Sequence, residues 1–203
     1  QQSKTTVSLV YRDNSIGQNP NYRIKDDYKK TGNGYTGKKD LAHGEINESS
    51  FNSYALIAQH KQNLSWKNAV IIGGINIDLS PSAYNAQYIK IKKDTVTKKY
   101  VSYEHTDSTL TDYETRINNY AAFANFEFSP FHNLRVVASL RYDLFKYDFD
   151  NHLKASAFSG SPDMKNQFSK MSPKLGFTYS VSNKTGVYAN YSEGFVPPQV
   201  TEM

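Results

Sequence analysis

An all-β chain, and within that class part of an antiparallel transmembrane β-barrel, is predicted by three features of this sequence. Apolar and polar residues alternate over long stretches. Aromatic residues sit near the ends of the apolar faces. The connections between these stretches alternate between short and long. Period two is the mark of a strand, because successive side chains project to opposite faces.

The elements follow in order. Over Lys4–Arg12, Val7, Leu9 and Tyr11 alternate with Thr6, Ser8 and Arg12. Phe51–Gln62 carries Tyr54, Leu56 and Ala58 on one face, and Asn68–Leu79 carries Ile71, Ile75 and Ile77. In Ile117–Phe128, Tyr120, Ala122, Ala124, Phe126 and Phe128 oppose Asn119, Ala121, Asn125 and Glu127. In Leu134–Phe145, Leu134, Val136, Ala138, Leu140, Tyr142 and Leu144 oppose Arg135, Val137, Ser139, Arg141 and Asp143. Lys170–Val181 sets Leu175, Phe177, Tyr179 and Val181 against Lys174, Gly176, Thr178 and Ser180, and Gly186–Ser192 closes the series. That makes about seven strands.

A soluble β-sandwich alternates too, so the three features are weighed against it. These strands run ~10–12 residues, whereas strands of globular sheets cluster near 5–6 and a tilted membrane strand needs ~9–11. Phe128, Tyr142, Tyr11 and Tyr54 fall where the interfacial girdles of a barrel belong. Short, turn-forming connections at Asn63–Lys67, Ser129–Asn133 and Ser182–Thr185 alternate with long polar ones at Asp13–Ser50, Pro81–Arg116 and Asp148–Ser169. Short periplasmic turns and long extracellular loops are the pattern of outer-membrane barrels. On this scheme Val7, Leu9, Leu56, Ile71, Ile75, Phe126, Leu134, Val136, Leu140, Leu175 and Phe177 face lipid. Tyr84–Lys92 and Lys99–Glu104 fit only as an exposed hairpin within a loop, with Ile89 and Ile91 opposite Tyr88 and Lys90 in parity.

Composition agrees with this class. A mean hydropathy of −0.67 does not oppose it, because only alternate residues of a barrel strand meet lipid. The longest apolar run, Ala69 to Ile77, is far below the ~20 residues of a membrane helix. Cysteine is absent, so disulfides and thiolate metal sites are excluded. The net charge of +5 admits a nucleic acid, an anionic membrane surface or an anionic ligand as partner. The cations are scattered in short pairs through polar segments, which fits solvated loops near anionic headgroups rather than a nucleic-acid surface. No signal peptide is visible, so the chain reads as starting inside a longer or processed protein.

The segment Ser172-Pro173-Lys174-Leu175-Gly176-Phe177-Thr178-Tyr179, followed by Gly186-Val187-Tyr188-Ala189-Asn190-Tyr191-Ser192-Glu193-Gly194-Phe195-Val196-Pro197-Pro198 and Glu202-Met203, resembles the barrel of TonB-dependent receptors. Asn119-Tyr120-Ala121-Ala122-Phe123 and Leu140-Arg141-Tyr142-Asp143 are similar to barrel strands of that family. The resemblance is strong over Asn118–Met203 and looser over Lys4–Leu79. It implies a plugged barrel of about 22 strands, of which residues 1–203 are a part, with a plug domain and a TonB-binding box not present in this chain. It also implies import of a scarce nutrient, above all a ferric siderophore, across the bacterial outer membrane. The energising partner would be the TonB–ExbB–ExbD complex, and no enzyme activity is expected. A surface adhesin or a glycan-binding or glycan-importing barrel is the alternative. The Pro197-Pro198 pair, which lacks the N–H groups a ladder needs, is expected to end strand pairing at the extracellular rim.

No catalytic constellation or metal site is expected. His43, His60, His105, His132 and His152 are isolated, the EF-hand pattern is missing near Asp148-Phe149-Asp150, and no serine has a nucleophile-elbow context. No cofactor is predicted. The Asp13–Ser50 segment joins Arg12, Arg23, Lys25, Lys29, Lys30, Lys38 and Lys39 to Tyr11, Tyr22, Tyr28 and Tyr35, offset by Asp13, Asp26, Asp27 and Asp40. Cations and amphipathic rings at a barrel mouth suit an anionic chelate, and Arg12, Tyr22, Arg23, Lys25, Tyr28 and Tyr35 are the expected ligand contacts. Lipopolysaccharide contact and plain solvation suit the same composition. Glu127, Arg135, Arg141, Asp143 and Lys174 fall opposite the apolar faces and are expected to line the lumen, since Arg or Lys at the lipid midplane costs ~2–4 kcal/mol. There they would pair with one another or a plug, or line the route of an anionic ligand.

Overall fold

In a computed structural model the chain forms one antiparallel sheet. The structure describes residues 3–31, 34–157 and 159–197, and side chains there except over 28–40. The strands are β1 (Ser3–Gln18), β2 (Lys25–Thr31), β3 (Gly34–Asn63), β4 (Val70–Lys93), β5 (Tyr100–Phe131), β6 (Leu134–Asn151), β7 (Met164–Ser182) and β8 (Thr185–Ser192). Among the described residues the one helical element is a 3₁₀ turn, Trp66–Asn68.

The sheet order is β1-β3-β4-β5-β6-β7-β8, with β2 also paired to β3. β1 runs along β3 from Ser3↔Gln62 to Gln18↔Asn47, and β2 resumes on the same edge at Lys25↔His43. Together they act as one strand interrupted at residues 19–24, so the sheet has the predicted seven ranks. The short turns 64–69, 132–133 and 183–184 all lie at one end.

The long polar segments are not the loops the sequence suggested. β1–β3 occupy most of Asp13–Ser50. β4 and β5 extend through Pro81–Arg116 as far as a turn at 94–99, and only 152–163 of Asp148–Ser169 connects β6 to β7. Above a membrane both faces of a strand are wet, so polar residues are tolerated on both. The ladder still satisfies every backbone group it pairs. Polarity there marks water and not irregular backbone.

Register fixes the two faces, because directly opposed residues of antiparallel strands project to the same side. One row reads Leu9, Leu56, Ile77, Tyr120, Leu144; another Ile71, Phe126, Ala138, Leu175, Tyr191. All the residues expected to face lipid lie on this outer face. Val7, Leu9, Ile71, Ile75, Leu140, Leu175 and Phe177 are exposed, while Leu56, Phe126, Leu134 and Val136 are half-covered by neighbours. Among the described residues no second sheet covers them, as a sandwich would require. Ten residues from Val70 to Leu79, at ~3.3 Å each and a tilt near 40°, give a band about 25 Å tall, the height of the apolar band of an outer-membrane barrel. Aromatics bound it on both sides. Trp66 stacks on Phe128 (5.7 Å) and Phe126 (6.5 Å) at the short-turn end. Tyr11 meets Tyr54 at 5.1 Å at the other.

The inner face is polar and tighter. Gly74 opposes Phe123, and the Phe123 ring lies across it. A Cβ at Gly74 would stand 2.6 Å from the Ala58 carbonyl oxygen and 2.6 Å from Phe123 Cζ, whereas one at Gly73 would meet nothing nearer than 3.9 Å. Gly74→Ala is therefore expected to lower stability to urea in detergent by about 1–3 kcal/mol, the range for overpacking. Gly73→Ala on the outer face should stay within about 0.5 kcal/mol. Equal stabilities for the two variants would contradict this packing.

Ile89 and Ile91 correct a second expectation. They are buried with Ala42 (Ile89 0%, Ile91 2% exposed), and Ile24, Ile46 and Tyr103 pack against them. The interrupting segment folds Ile24 over the ladder at Gly44, where the packing is close: a Cβ there would stand 3.1 Å from Ile91 Cδ1 and 3.5 Å from Ile24 Cγ1. A small core thus stands above the membrane where an exposed hairpin was expected.

Candidate functional site

Within the membrane band the charged residues expected in the lumen share the inner face. Arg135 pairs with Glu127 at 2.6 Å. Arg141 grips Asp143 with a fork, Nε donating at 3.0 and 2.9 Å and Nη2 at 2.8 Å. Asp143 is only 7% exposed, so it depends on that guanidinium for solvation. Lys174 lies between the two pairs and lines a cavity with each of Arg135 and Arg141. Near the upper end Lys170 reaches Glu193 at 3.1 Å, and Tyr191 donates to the same carboxylate at 2.8 Å. β8 has ended by then, and Phe195 turns inward to meet Phe145 edge-on at 5.9 Å. Pro198 and residues 199–203 lie outside the described residues.

Above the band the inner face carries a groove. Tyr84, Tyr113 and Phe149, from β4, β5 and β6, form a continuous aromatic wall, with centroids 5.6 Å and 5.1 Å apart. Register puts them there, since Tyr84 opposes Tyr113 and the Ser82–Thr115–Phe149 row lies directly below. Ser82 and Thr115 share a 2.5 Å hydroxyl contact, and with Ser49 they edge a cavity of about 370 Å³. Burial pushes the Tyr113 phenol above its ordinary pKa. It does the same to Tyr84, aided by the Glu45 carboxylate.

A second cavity of about 300 Å³ adjoins it, sharing Ser49 and Tyr84 and walled by the 19–24 segment. Asn21 is buried there; its amide donates to Gln18 Oε1 (2.6 Å) and Glu45 Oε1 (3.2 Å), and its backbone N–H to Glu45 O (2.8 Å). Asn47 Nδ2 also donates to Glu45, at 3.1 Å. Arg23 N–H donates to Asn21 Oδ1 (2.9 Å), and its Nε to Tyr22 Oη (3.4 Å), with the guanidinium 5.7 Å from that ring's centroid. The Tyr22 hydroxyl raises the Arg23 pKa further. One cation, one carboxylate, two amides and a wall of rings can bind a flat or ringed ligand through faces and edges together.

Of the ligand contacts expected from sequence, Tyr22 and Arg23 meet at this groove. Arg12 stands on the inner face opposite Ser53, exposed and well below it. Lys25 opens β2 opposite His43, also exposed. The side chains of Tyr28 and Tyr35 lie outside the described residues. Sequence reasoning passed over Tyr84, Tyr113, Phe149, Asn21, Glu45 and Asn47, most of them within stretches it took for loops. Among the described residues His43 bonds Asp27 (2.6 Å), His152 lies near Asp112 (3.3 Å), and no group of three His or acidic side chains converges as a metal site would require.

Three comparisons bear on this architecture. No curated protein matches the chain. Among solved structures, the ferric-catecholate import receptor Fiu of E. coli K12, in an open form, is similar, with a TM-score of 0.38 and 12% identity. That likeness covers 86% of this chain, which spans 37% of that receptor's length. The family described as TonB dependent receptor-like, beta-barrel matches residues 2–203. With strands, faces, girdles and a family match running nearly end to end, the chain belongs to the β-barrel family of TonB-dependent receptors.

Proposed function

We propose that this chain is barrel wall of an outer-membrane receptor that imports a scarce nutrient, a ferric siderophore or similar iron chelate, by energised passage past a plug. The TonB–ExbB–ExbD complex supplies the energy through a plug and TonB box outside these residues. The observation that carries the reading is the groove above the membrane band, where Tyr22, Arg23, Tyr84, Tyr113 and Phe149 face inward over the charged lumen. An anionic, ringed chelate suits Arg23 and the aromatic wall; below it Lys174, between the Arg141–Asp143 and Arg135–Glu127 pairs, leaves that stretch of the inner face with a net positive charge. The family is one of receptors and transporters rather than enzymes, so binding and passage, not bond chemistry, are the activity. The same groove supports a second reading. Its hydroxyls (Ser49, Ser82, Thr115) and the Glu45 carboxylate also suit a neutral glycan stacked on the rings. Deletion of the full-length gene should slow growth under iron limitation, with recovery when the gene is supplied back and the matching ferric chelate is offered. Normal iron-limited growth combined with a defect on a glycan would replace the cargo and keep the receptor.

A further inference from the structure

The outer wall carries a group of cations that import does not use. Arg116 (β5), Lys146 (β6) and Lys165 (β7) surround a single carboxylate, Asp148, on the outer face. Arg116 Nη2 stands 3.7 Å and Lys165 Nζ 3.6 Å from Asp148 Oδ2. Lys146 Nζ lies 6.0 Å from the centre of the Tyr120 ring. Neither contact to Asp148 is close, and the side chains of Lys165 and Arg116 are 82% and 54% exposed. They edge a shallow cavity of about 360 Å³.

Height decides what this cluster meets. Tyr120 and Tyr142 mark the upper margin of the apolar band, at the end away from the short turns. Lys146 is two residues above Leu144 on the same face, and Arg116 and Lys165 two residues higher again. Two residues rise about 5 Å for a tilted strand. The cations therefore stand roughly 5–10 Å beyond the hydrocarbon edge, the depth of a leaflet's headgroups. Three cations less one carboxylate leave a charge near +2, which matches a phosphate monoester at −1.5 to −2. The nearest other charges on this face, Glu114 and Asp150, occupy the next row outward, toward water, with Asp112 a row beyond. They repel an anion from above and leave the membrane side open. All three strands are inner ranks of the sheet, so the cluster is complete whatever pairs with β1 or β8.

We propose that Arg116, Lys146 and Lys165 hold the phosphate monoester of an outer-leaflet lipid against the barrel wall. The inference rests on the outer-membrane placement in the reading above and not on its cargo. The test uses the full-length receptor extracted in a neutral detergent, with retained lipid counted by native mass spectrometry. Phosphorylated lipid A, its dephosphorylated form, phosphatidylglycerol and inorganic phosphate are offered separately. Wild type should retain phosphorylated lipid A about tenfold over the dephosphorylated form. Replacing the three cations together (R116Q, K146Q, K165Q) should erase that preference. Asp148→Asn, which removes the competing carboxylate, should raise retention, a change no folding defect would produce. Equal retention by wild type and the triple variant, or displacement of the lipid by inorganic phosphate at millimolar level, would overturn the proposal. Fractionation with the outer membrane and chelate uptake are measured alongside, so failure of the placement or of import shows separately from failure of the lipid site.

Discussion

Leu175→Arg should be the most damaging single change on the outer wall, costing about 2–4 kcal/mol of folding stability in a bilayer. Leu175 stands midway along the apolar face of β7, between Met171 near one girdle and Tyr179 near the other, and is 56% exposed there. Its neighbours in register, Ala138 and Tyr191, offer no carboxylate within the row, so a guanidinium at this depth has only lipid and backbone to meet. Lys174→Arg, one residue earlier, keeps a cation on the inner face beside Arg141 and Glu193 and should change stability by less than about 0.5 kcal/mol. Reversible urea unfolding in lipid vesicles reads both values. A tolerated Arg at 175 would mean that this face does not meet lipid.

The contrast between neighbouring residues explains why this part of the fold was legible in sequence. Wherever one face meets lipid and the other water, selection between apolar and polar side chains repeats every second residue, as from Leu134 to Leu144 and from Leu175 to Val181. The turns were legible for a related reason: Ser, Asn and Pro at 129–133 and 182–185 supply local hydrogen bonding and fixed backbone angles. Above the membrane the difference between faces vanishes. Glu45, Asn47 and Ser49 point inward, yet their outward neighbours Glu48 and Ser50 are equally polar, so β3 reads as a loop although its ladder is unbroken from Leu41↔Lys92 to Phe51↔Ser82. Ile89 and Ile91 kept their alternation, but the residue that covers them, Ile24, comes from a segment some 65 positions earlier. A period within one strand carries no information about such a partner. The groove failed to show for the same cause, since Tyr84, Tyr113 and Phe149 are remote in sequence and meet only through two hairpin registers. Counting back from a hairpin closed at 94–99 would set Tyr84 opposite Thr109; three register shifts between Lys93 and Ala86 carry it to Tyr113 instead, and nothing in the alternation announces them. The turn itself was readable: Asp94 Oδ1 accepts from the N–H groups of Val96 (2.9 Å) and Thr97 (2.5 Å), an Asx-type turn. The Thr97 hydrogen bonds hold the Asp94 carboxyl below its ordinary pKa.

Tyr113→Ala should cut affinity for the transported ligand by about 10–100-fold while leaving the barrel assembled. Tyr113 is the middle ring of the wall, touching Tyr84 on one side and Phe149 on the other. Removing it leaves two separated rings and a floor open to water, where a ligand loses its stacked face. Truncating a central aromatic anchor typically costs about 2 kcal/mol or more of binding, and 1.4 kcal/mol is a factor of about ten. Tyr113→Phe keeps the ring and the wall, and should bind within about threefold of wild type. The half-buried phenol has no partner that folding depends on among the described residues, so the Phe variant also separates stacking from hydrogen bonding. Arg23→Gln then divides the two cargo classes. It leaves the rings in place but removes the cation beside them, so it should weaken an anionic ferric chelate by about tenfold and leave a neutral glycan unaffected. Binding is read on the full-length receptor by quenching of its intrinsic tyrosine and tryptophan fluorescence, with heat-modifiable migration confirming that each variant is folded. A folded Tyr113→Ala receptor that binds and imports its ligand as wild type does would remove the groove from the transport path, and the capture site would then have to lie on other parts of the barrel.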